Sequence, residues 1–381
     1  MSHHLFLTQD HEMLRDQVRR FIAEKVHPAA DTWEKDGCVP RDILRQMGDL
    51  GFLGIRYPEE YGGSAMDTRA TAVLAEELGW STYAGFAITA LVHTDMASVH
   101  LYNAGTQAQR AEHMPDIIAG RKIVAVAVTE PDAGSDVKSI RTMARRDGDD
   151  FVLNGAKMFI TNGVHADLYC VAAKTDTQGP ASQSVTIFLV EKGTPGFSVS
   201  RALDKHGWCS SDTAELSFQE CRIPAENILG QEGKGFYSIM KNFQNERIVL
   251  GAMAMGEAQA ALDLTLDYVK TRQAFGAPLW SKEAIRQRLS MLSARVTAAR
   301  QLVYATAARD AAGEDVVKEV SMLKALCGEL VNDVMYDCVQ FHGGTGYMRG
   351  SAIERMARDA RVQSIGGGAT EVMLEEVAKR L

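Results

Sequence analysis

Residues 236–269 carry one unbroken helical period, with a charge in the middle of its apolar face. Ile239, Phe243, Leu250 and Met253 recur at spacings that place them on one side of an α-helix, and Glu246 fills the gap in that row. Burying an ionised carboxylate is costly unless it is paired or hydrogen-bonded. Two readings follow. Glu246 is a structural ion pair, with Arg247 or a basic residue of a neighbouring helix, or it is a catalytic base.

The rest of the chain is organised by where the period changes. Before residue 121 the spacing is helical: Leu14, Val18, Phe21, Ile22 and Val26 form one stripe, with Thr8 or Asp10 as caps and Pro28 as a stop. Residues 42–50 and 67–78 predict two more helices. The apolar stretch 82–102 predicts a buried helix rather than a membrane one, because it contains His93, Asp95 and His100. At Ile123 the character changes. Residues 123–128 form an apolar run of strand length, and Asp147-Gly148 and Asn154-Gly155 flank Phe151, Val152 and Leu153 as hairpin signals. Residues 168–173, 185–190, 197–201 and 215–218 read as further strands, spaced as in a small antiparallel barrel or sandwich, and Pro224 closes the region. Helical spacing returns at Phe236 and runs through roughly 236–270, 281–311, 314–342, 351–361 and from about 369. The expected fold is therefore α+β in three domains: helical over 1–121, β over 122–230 and helical over 231–381.

Composition narrows the function classes. The net charge is −8 and there is no long Lys/Arg run, which argues against a nucleic-acid surface. No apolar run approaches the roughly 18 residues of a membrane span. The first residues lack a basic and then apolar leader, so a cytoplasmic location is expected. Cys38, Cys170, Cys209, Cys221, Cys327 and Cys338 have no metal-like spacing; reduced thiols and no metal centre are expected.

Five segments carry chemistry-bearing residues, and each also has a plain structural reading. Residues 126–136 end a strand in a turn rich in Pro, Asp, Gly and Ser, able to bind a polar heterocycle or phosphate or simply to turn. Phe159 to Gly163 is a strand ending in an Asn-Gly turn, or an aromatic and a threonine set against a flat ring. Residues 272–279 separate two helices, with Arg272 as a solvated cap or a phosphate ligand. Residues 340–347 have glycines that allow close backbone approach, but follow a helix and lack the dinucleotide fingerprint. Residues 365–371 place three glycines before a helix, as a loose loop or an anion site.

Taken together, in this order, these segments resemble the acyl-CoA dehydrogenase family of flavoproteins from end to end. The matching runs are TEPDAGSD ending at Asp136, NGAKMFITNG (154–163), DTAELSFQECRIPAENILG (212–230), RQAFGAPL (272–279), QFHGGTGYMRG (340–350) and ERMARDARV (354–362). The resemblance implies an N-terminal helical domain, a middle antiparallel β-barrel or sandwich domain and a C-terminal four-helix bundle, usually in a homotetramer. It implies FAD bound in extended form between domains and against a neighbouring subunit. Val126, Val128, Thr129, Gly134 and Ser135, with Phe159, Ile160 and Thr161, would contact the isoalloxazine ring; Thr129 and Thr161 would hydrogen-bond it and Phe159 would cover one face. Arg272, Phe275, Gln340, Gly343 and Gly344 would hold the pyrophosphate and adenine across the subunit interface. Gly368, Thr370 and Glu371 would close over the flavin. Ser135, Asn245, Arg247 and Gly367 would contact substrate.

The implied reaction is α,β-dehydrogenation of an acyl-CoA. A carboxylate removes the α-proton, a β-hydride goes to flavin N5, and a backbone N–H with a ribityl hydroxyl holds the thioester carbonyl. Electrons would pass to electron-transfer flavoprotein; an oxidase or flavin monooxygenase on the same fold is the alternative. Most of the family carries the base in a Tyr-Glu-Gly-Thr loop. Here those positions are Gly366, Gly367, Gly368 and Ala369, and Gly367 cannot be a base. The isovaleryl-CoA and long-chain branches carry it instead on the first helix of the C-terminal domain, just before an arginine, a position that is Glu246 here. A glutamate placed at 367 is expected to relocate the base. Glu283 and Ala369 replace a glutamine and a threonine that usually touch the flavin. The glycine loop leaves room for a branched acyl chain or a long one, with Phe86, Ile88, Leu91 and His93 as candidates for setting pocket depth.

Overall fold

A computed structural model describes residues 5–176 and 179–381. Seven helices come first: α1 (Gln9–Phe21), α2 (Ala30–Asp36), α3 (Arg41–Asp49), α4 (Thr68–Trp80), α5 (Ala84–Leu91), α6 (Ser98–Ala104) and α7 (Gln107–Ile118). Two π-helical turns interrupt them, Ile22–Val26 after α1 and Val92–Ala97 between α5 and α6. The 82–102 stretch is thus one buried rod with a wider turn in its middle, not a uniform helix.

Among the described residues eight strands follow: β1 (Val124–Ala127), β2 (Met143–Asp147), β3 (Asp150–Thr161), β4 (Leu168–Lys174), β5 (Val185–Glu191), β6 (Phe197–Ala202), β7 (Thr213–Pro224) and β8 (Ile228–Leu229). They form one sheet in the order β6-β7-β3-β2-β4-β5-β8, with β1 paired to β4. β1 and β4 run parallel, as does the single β2–β4 pairing, so the sheet is mixed, and its described strands do not close into a barrel. Alternation of apolar residues reports which face is buried; it does not report strand direction, which is why the antiparallel expectation missed β1. Asp147-Gly148 does turn the chain, pairing Asp147 with Asp150. Asn154-Gly155 does not: β3 runs through it, and the register shifts there instead. Gly155 has φ +152°, and a Cβ on it would stand 2.5 Å from Thr142 Oγ1, so this bulge needs glycine.

The C-terminal part contains α8 (Gly235–Thr271), the short hairpin β9 (Gln273–Ala274) and β10 (Ala277–Pro278), then α9 (Glu283–Ala311), α10 (Val317–His342), α11 (Gly344–Tyr347), α12 (Ala352–Ala360) and α13 (Thr370–Ala378). α8 is the axis of the molecule, packed on α4, α9 and α10. Its crossing with α4 is a backbone contact. A Cβ on Gly79 would stand 2.2 Å from the Met253 carbonyl oxygen, and one on Gly256 would stand 1.9 Å from that of Glu76. Beside this crossing Glu76 and Glu77 are buried but compensated by Arg15, Arg19 and Arg300. Among the described residues no helix is long and apolar enough to cross a membrane.

Candidate active site

Glu246 lies a third of the way along α8 and is 7 % exposed. Burial pushes its carboxyl up to about 8, against the pull of the neighbouring Arg247 charge and a hydrogen bond from Asn242. That bond, Asn242 Nδ2 to Glu246 Oε1, is 2.9 Å long and joins residues one helical turn apart. No ion pair links Glu246 to Arg247 among the described residues, since adjacent helix positions point in different directions. Arg247 instead lies over the Phe243 ring, 5.5 Å from its centroid, and its buried Nε has no partner. The structural-pair reading therefore lacks its partner.

The face of α8 that carries Glu246 is pinned to the Val92–Ala97 turn. Asn242 Nδ2 donates to the Met96 carbonyl at 3.0 Å, and Asn245 Nδ2 to the Asp95 carbonyl at 2.8 Å. Asp95, 1 % exposed, is itself held by Arg56 Nη1 at 3.0 Å. π-Helical turns recur at functional sites because they alter how carbonyls point. Asn245 thus gives its amide hydrogens to the protein, and only its unpartnered Oδ1 remains for a substrate. Phe86, Ile88, Leu91 and His93 are all buried in this region. His93 is fully used: Nε2 meets the Ile117 carbonyl at 2.9 Å, Nδ1 meets Val124 N–H at 3.2 Å, and burial holds its pKa near 4. It braces β1.

Across the sheet, the loop after β1 is tied to the end of β3. Met158 N–H donates to the Thr129 carbonyl, and Lys157 Nζ to the Val128 carbonyl, both at 2.9 Å. Lys157 is fully buried and bonds Glu130 Oε1 at 2.7 Å; Glu130 also accepts from Arg141 N–H at 2.5 Å and Thr142 N–H at 3.0 Å. A register shift between Lys157 and Ile160 frees Met158 and Phe159 from the β3–β7 ladder. Phe159 then adopts φ +60° and stands 64 % exposed, a strained setting for an aromatic residue. Ile160 turns inward, Val126, Val128 and Thr161 are half-buried, and Gly134 and Ser135 are exposed on the loop. The hydroxyls of Thr129 and Thr161 make no hydrogen bond among the described residues.

The glycine loop meets α8 through Leu250. A Cβ on Gly367 would stand 2.2 Å from Leu250 Cδ1, and Leu250 is one turn beyond Glu246. Lys324 of α10 holds the loop from below, with Nζ donating to the Gln363 carbonyl at 2.6 Å and the Gly368 carbonyl at 3.1 Å. The backbone N–H of Gly367 has no partner among the described residues. Thr370 donates to Glu329 Oε1 at 2.9 Å, at the edge of a cavity of about 490 Å³ that Glu371 and Arg361 also line. Ala369 lines it too, whereas Glu283 is exposed and accepts from Gln287.

A second cluster lies at the far end of α8. Tyr268 stacks on His342 with centroids 4.2 Å apart and bonds the His342 carbonyl, and Arg272 N–H donates to the Tyr268 carbonyl. Arg272, Gln340, Gly343 and Gly344 flank this contact in sequence and are all solvent-exposed, as is Phe275 at 94 % with φ +54°. Tyr268 is 22 positions from Glu246 on the same helix, roughly 33 Å along its axis. The predicted cofactor residues therefore include one group on the β1 and β3 loops and a second, solvent-exposed one at the far end of α8.

Known proteins bear on this arrangement in three ways. The N-terminal, middle and C-terminal domains of the acyl-CoA dehydrogenases match residues 8–121, 125–221 and 233–381. This chain belongs to the acyl-CoA dehydrogenase family. The mouse mitochondrial long-chain specific acyl-CoA dehydrogenase is 38% identical over 375 residues, covering 98% of this chain and 87% of that protein. The mitochondrial isovaleryl-CoA dehydrogenase of Pongo abelii is 37% identical over 369 residues, covering 96% of this chain and 87% of that protein. The crystal structure of an acyl-CoA dehydrogenase from Geobacillus kaustophilus superposes with a TM-score of 0.95 at 38% identity, covering 99% of each chain.

FAD is the cofactor of the acyl-CoA dehydrogenase family, and solved structural neighbours include an FAD complex of PigA and a glutaryl-CoA dehydrogenase from Mycobacterium smegmatis with FADH2. The residues present suit such a group: two free threonine hydroxyls and an outward aromatic face beside an open loop. Reading the sequence missed Asn242, Leu250, Lys324 and the Lys157–Glu130 pair. Asn242 had one signal, its i,i+4 spacing to Glu246. Lys324 had another, a lone cation in the apolar stripe of α10.

Proposed function

We propose that this family member dehydrogenates a branched-chain or medium- to long-chain acyl-CoA to the trans-2-enoyl-CoA, with Glu246 as the α-proton base. The observation that carries this reading is the state of Glu246: a buried carboxyl held near 8, without an ion-pair partner, one turn from the residue that touches Gly367. Bound FAD would supply the acceptor for the β-hydride. Glu246 takes the α-proton as the C–H electron pair moves into the forming double bond, and the free Gly367 N–H is a donor for the thioester oxygen. Thr129, Thr161 and Phe159 orient the ring. Ser135, Arg247 and Asn245 Oδ1 are the proposed substrate contacts.

Several further proposals follow from the same reading. The open cluster of Arg272, Phe275, Gln340, Gly343 and Gly344 binds the far end of an extended cofactor in a homotetramer; the exposure of Phe275, Tyr336, Tyr347 and Met348 supports a covering subunit. Electron-transfer flavoprotein receives the electrons; one structural neighbour, 34% identical with a TM-score of 0.95, comes from work on the electron transferring flavoprotein of Acidaminococcus fermentans. The division into domains at 121 and 230 follows the change from helices to sheet and back. A reducing compartment, the cytoplasm in the simplest case, suits six free cysteines. Anaerobic mixing of the FAD-loaded protein with straight and branched acyl-CoAs tests the reading: at least one must bleach the flavin, and failure of all of them sinks it.

A further inference from the structure

Asn242 is an oddity in its own right. It is 4 % exposed, yet its Oδ1 has no partner, while Nδ2 serves two acceptors, Met96 O at 3.0 Å and Glu246 Oε1 at 2.9 Å. The opposite amide orientation would set Oδ1 against both a carbonyl and a carboxylate, so the network itself fixes which end faces Glu246. One hydrogen is anchored across the domain to the Val92–Ala97 turn, and the other is aimed at the carboxylate. A hydrogen bond to the ionised form favours that form.

We propose that Asn242 is the positioning residue for Glu246: anchored by the Met96 carbonyl, it fixes the carboxylate's orientation and sets the pH at which Glu246 becomes a base. This rests on the reading of Glu246 as the α-proton acceptor. The other charged groups around this stretch are accounted for. Arg247 follows Glu246 on α8 and is faced by Glu376 of α13 and by Arg380 just beyond it. Asp95 of the π turn is paired with Arg56, and Lys324 of α10 bonds the glycine-loop carbonyls. His100 of α6 is buried and kept neutral. Asn242 is the one group that hydrogen-bonds Glu246 directly among the described residues.

The test is the pH profile of flavin reduction by acyl-CoA in the FAD-loaded protein, measured for wild type, Asn242→Leu, Asn242→Asp and Glu246→Gln. Leu matches the amide in size without a donor; Asp adds a second carboxylate, and gives an answer should the Leu variant fold poorly. The expected result is an upward shift of the midpoint by about one pH unit or more in Asn242→Leu, the size a hydrogen bond to a charged group carries, with rates recovering at high pH. In Asn242→Asp the shift is larger, because like charges raise each other. A midpoint unchanged in both Asn242 variants overturns the proposal while leaving Glu246 as base. Wild-type reduction by Glu246→Gln overturns the base reading itself.

Discussion

Leu250 Cδ1 occupies the direction in which a side chain on Gly367 would have to grow, 2.2 Å from the position of its Cβ. Gly367 also has φ +64°, a conformation that costs a residue with a Cβ roughly 1–2 kcal/mol. Moving the base to the loop therefore meets two obstacles that the sequence does not display. Gly367→Glu combined with Glu246→Gln is expected to be less stable than Glu246→Gln alone and not to regain flavin reduction. Adding Leu250→Ala makes room and recovers part of the stability. Thermal melts and anaerobic bleaching of the three proteins check this.

Burial holds Glu246 near 8, so its proton must leave before it can act. kcat/KM for acyl-CoA is expected to rise with pH to a plateau, with a midpoint near 8 in the free enzyme. A profile already flat from about pH 6 would mean an ordinary carboxylate is the base.

Glu257 of α8 and Asp359 of α12 are buried at 1 % and 0 % exposure, and each has one oxygen without a partner. Burial pushes Glu257 to about 8, with the Asp359 charge adding to it, and Asp359 to about 7, from 4.5 and 3.8. Both are raised, so the folded state binds protons that the unfolded state releases. Their contribution is full below about pH 4 and is lost as pH rises through 7 to 8. Glu257→Gln, which keeps the shape without the charge, should flatten this dependence and stabilise the protein at pH 8 by on the order of 1–3 kcal/mol. Denaturant titrations at pH 5 and 8 measure it.

Lys157 and Glu130 form a buried pair under the loop that presents Thr129. Lys157→Met leaves Glu130 buried and unpaired, a loss of about 3–5 kcal/mol. FAD content after purification should fall with it, because the same lysine holds the Val128 carbonyl. Retained FAD and an unchanged melting temperature would show that the pair does not support the loop.

How much of this was legible in the sequence depended on whether the signal was local. The α8 stripe with Glu246 in its gap is a matter of spacing, and the helix appears over Gly235–Thr271. The helix, sheet, helix order is likewise set by period. The parallel β1–β4 pair and the passage of β3 through Asn154-Gly155 depend on partners far along the chain, so the same residues read as antiparallel strands and a turn. Asn242 stands four positions from Glu246, but its second partner, Met96, lies 146 positions away in a π turn that spacing does not announce. Phe159 faces outward only because the register shifts beneath it. Leu250 read as core, which it is; that it also touches Gly367 needed the fold.

The most direct test of Glu246 as the α-proton base is anaerobic mixing of FAD-loaded Glu246→Gln with an acyl-CoA that bleaches the wild type. The amide keeps the shape of the side chain and cannot take the proton. Full retention of the yellow cofactor with reduction slowed by at least 10³-fold is the expected result. Bleaching at the wild-type rate would place the base elsewhere.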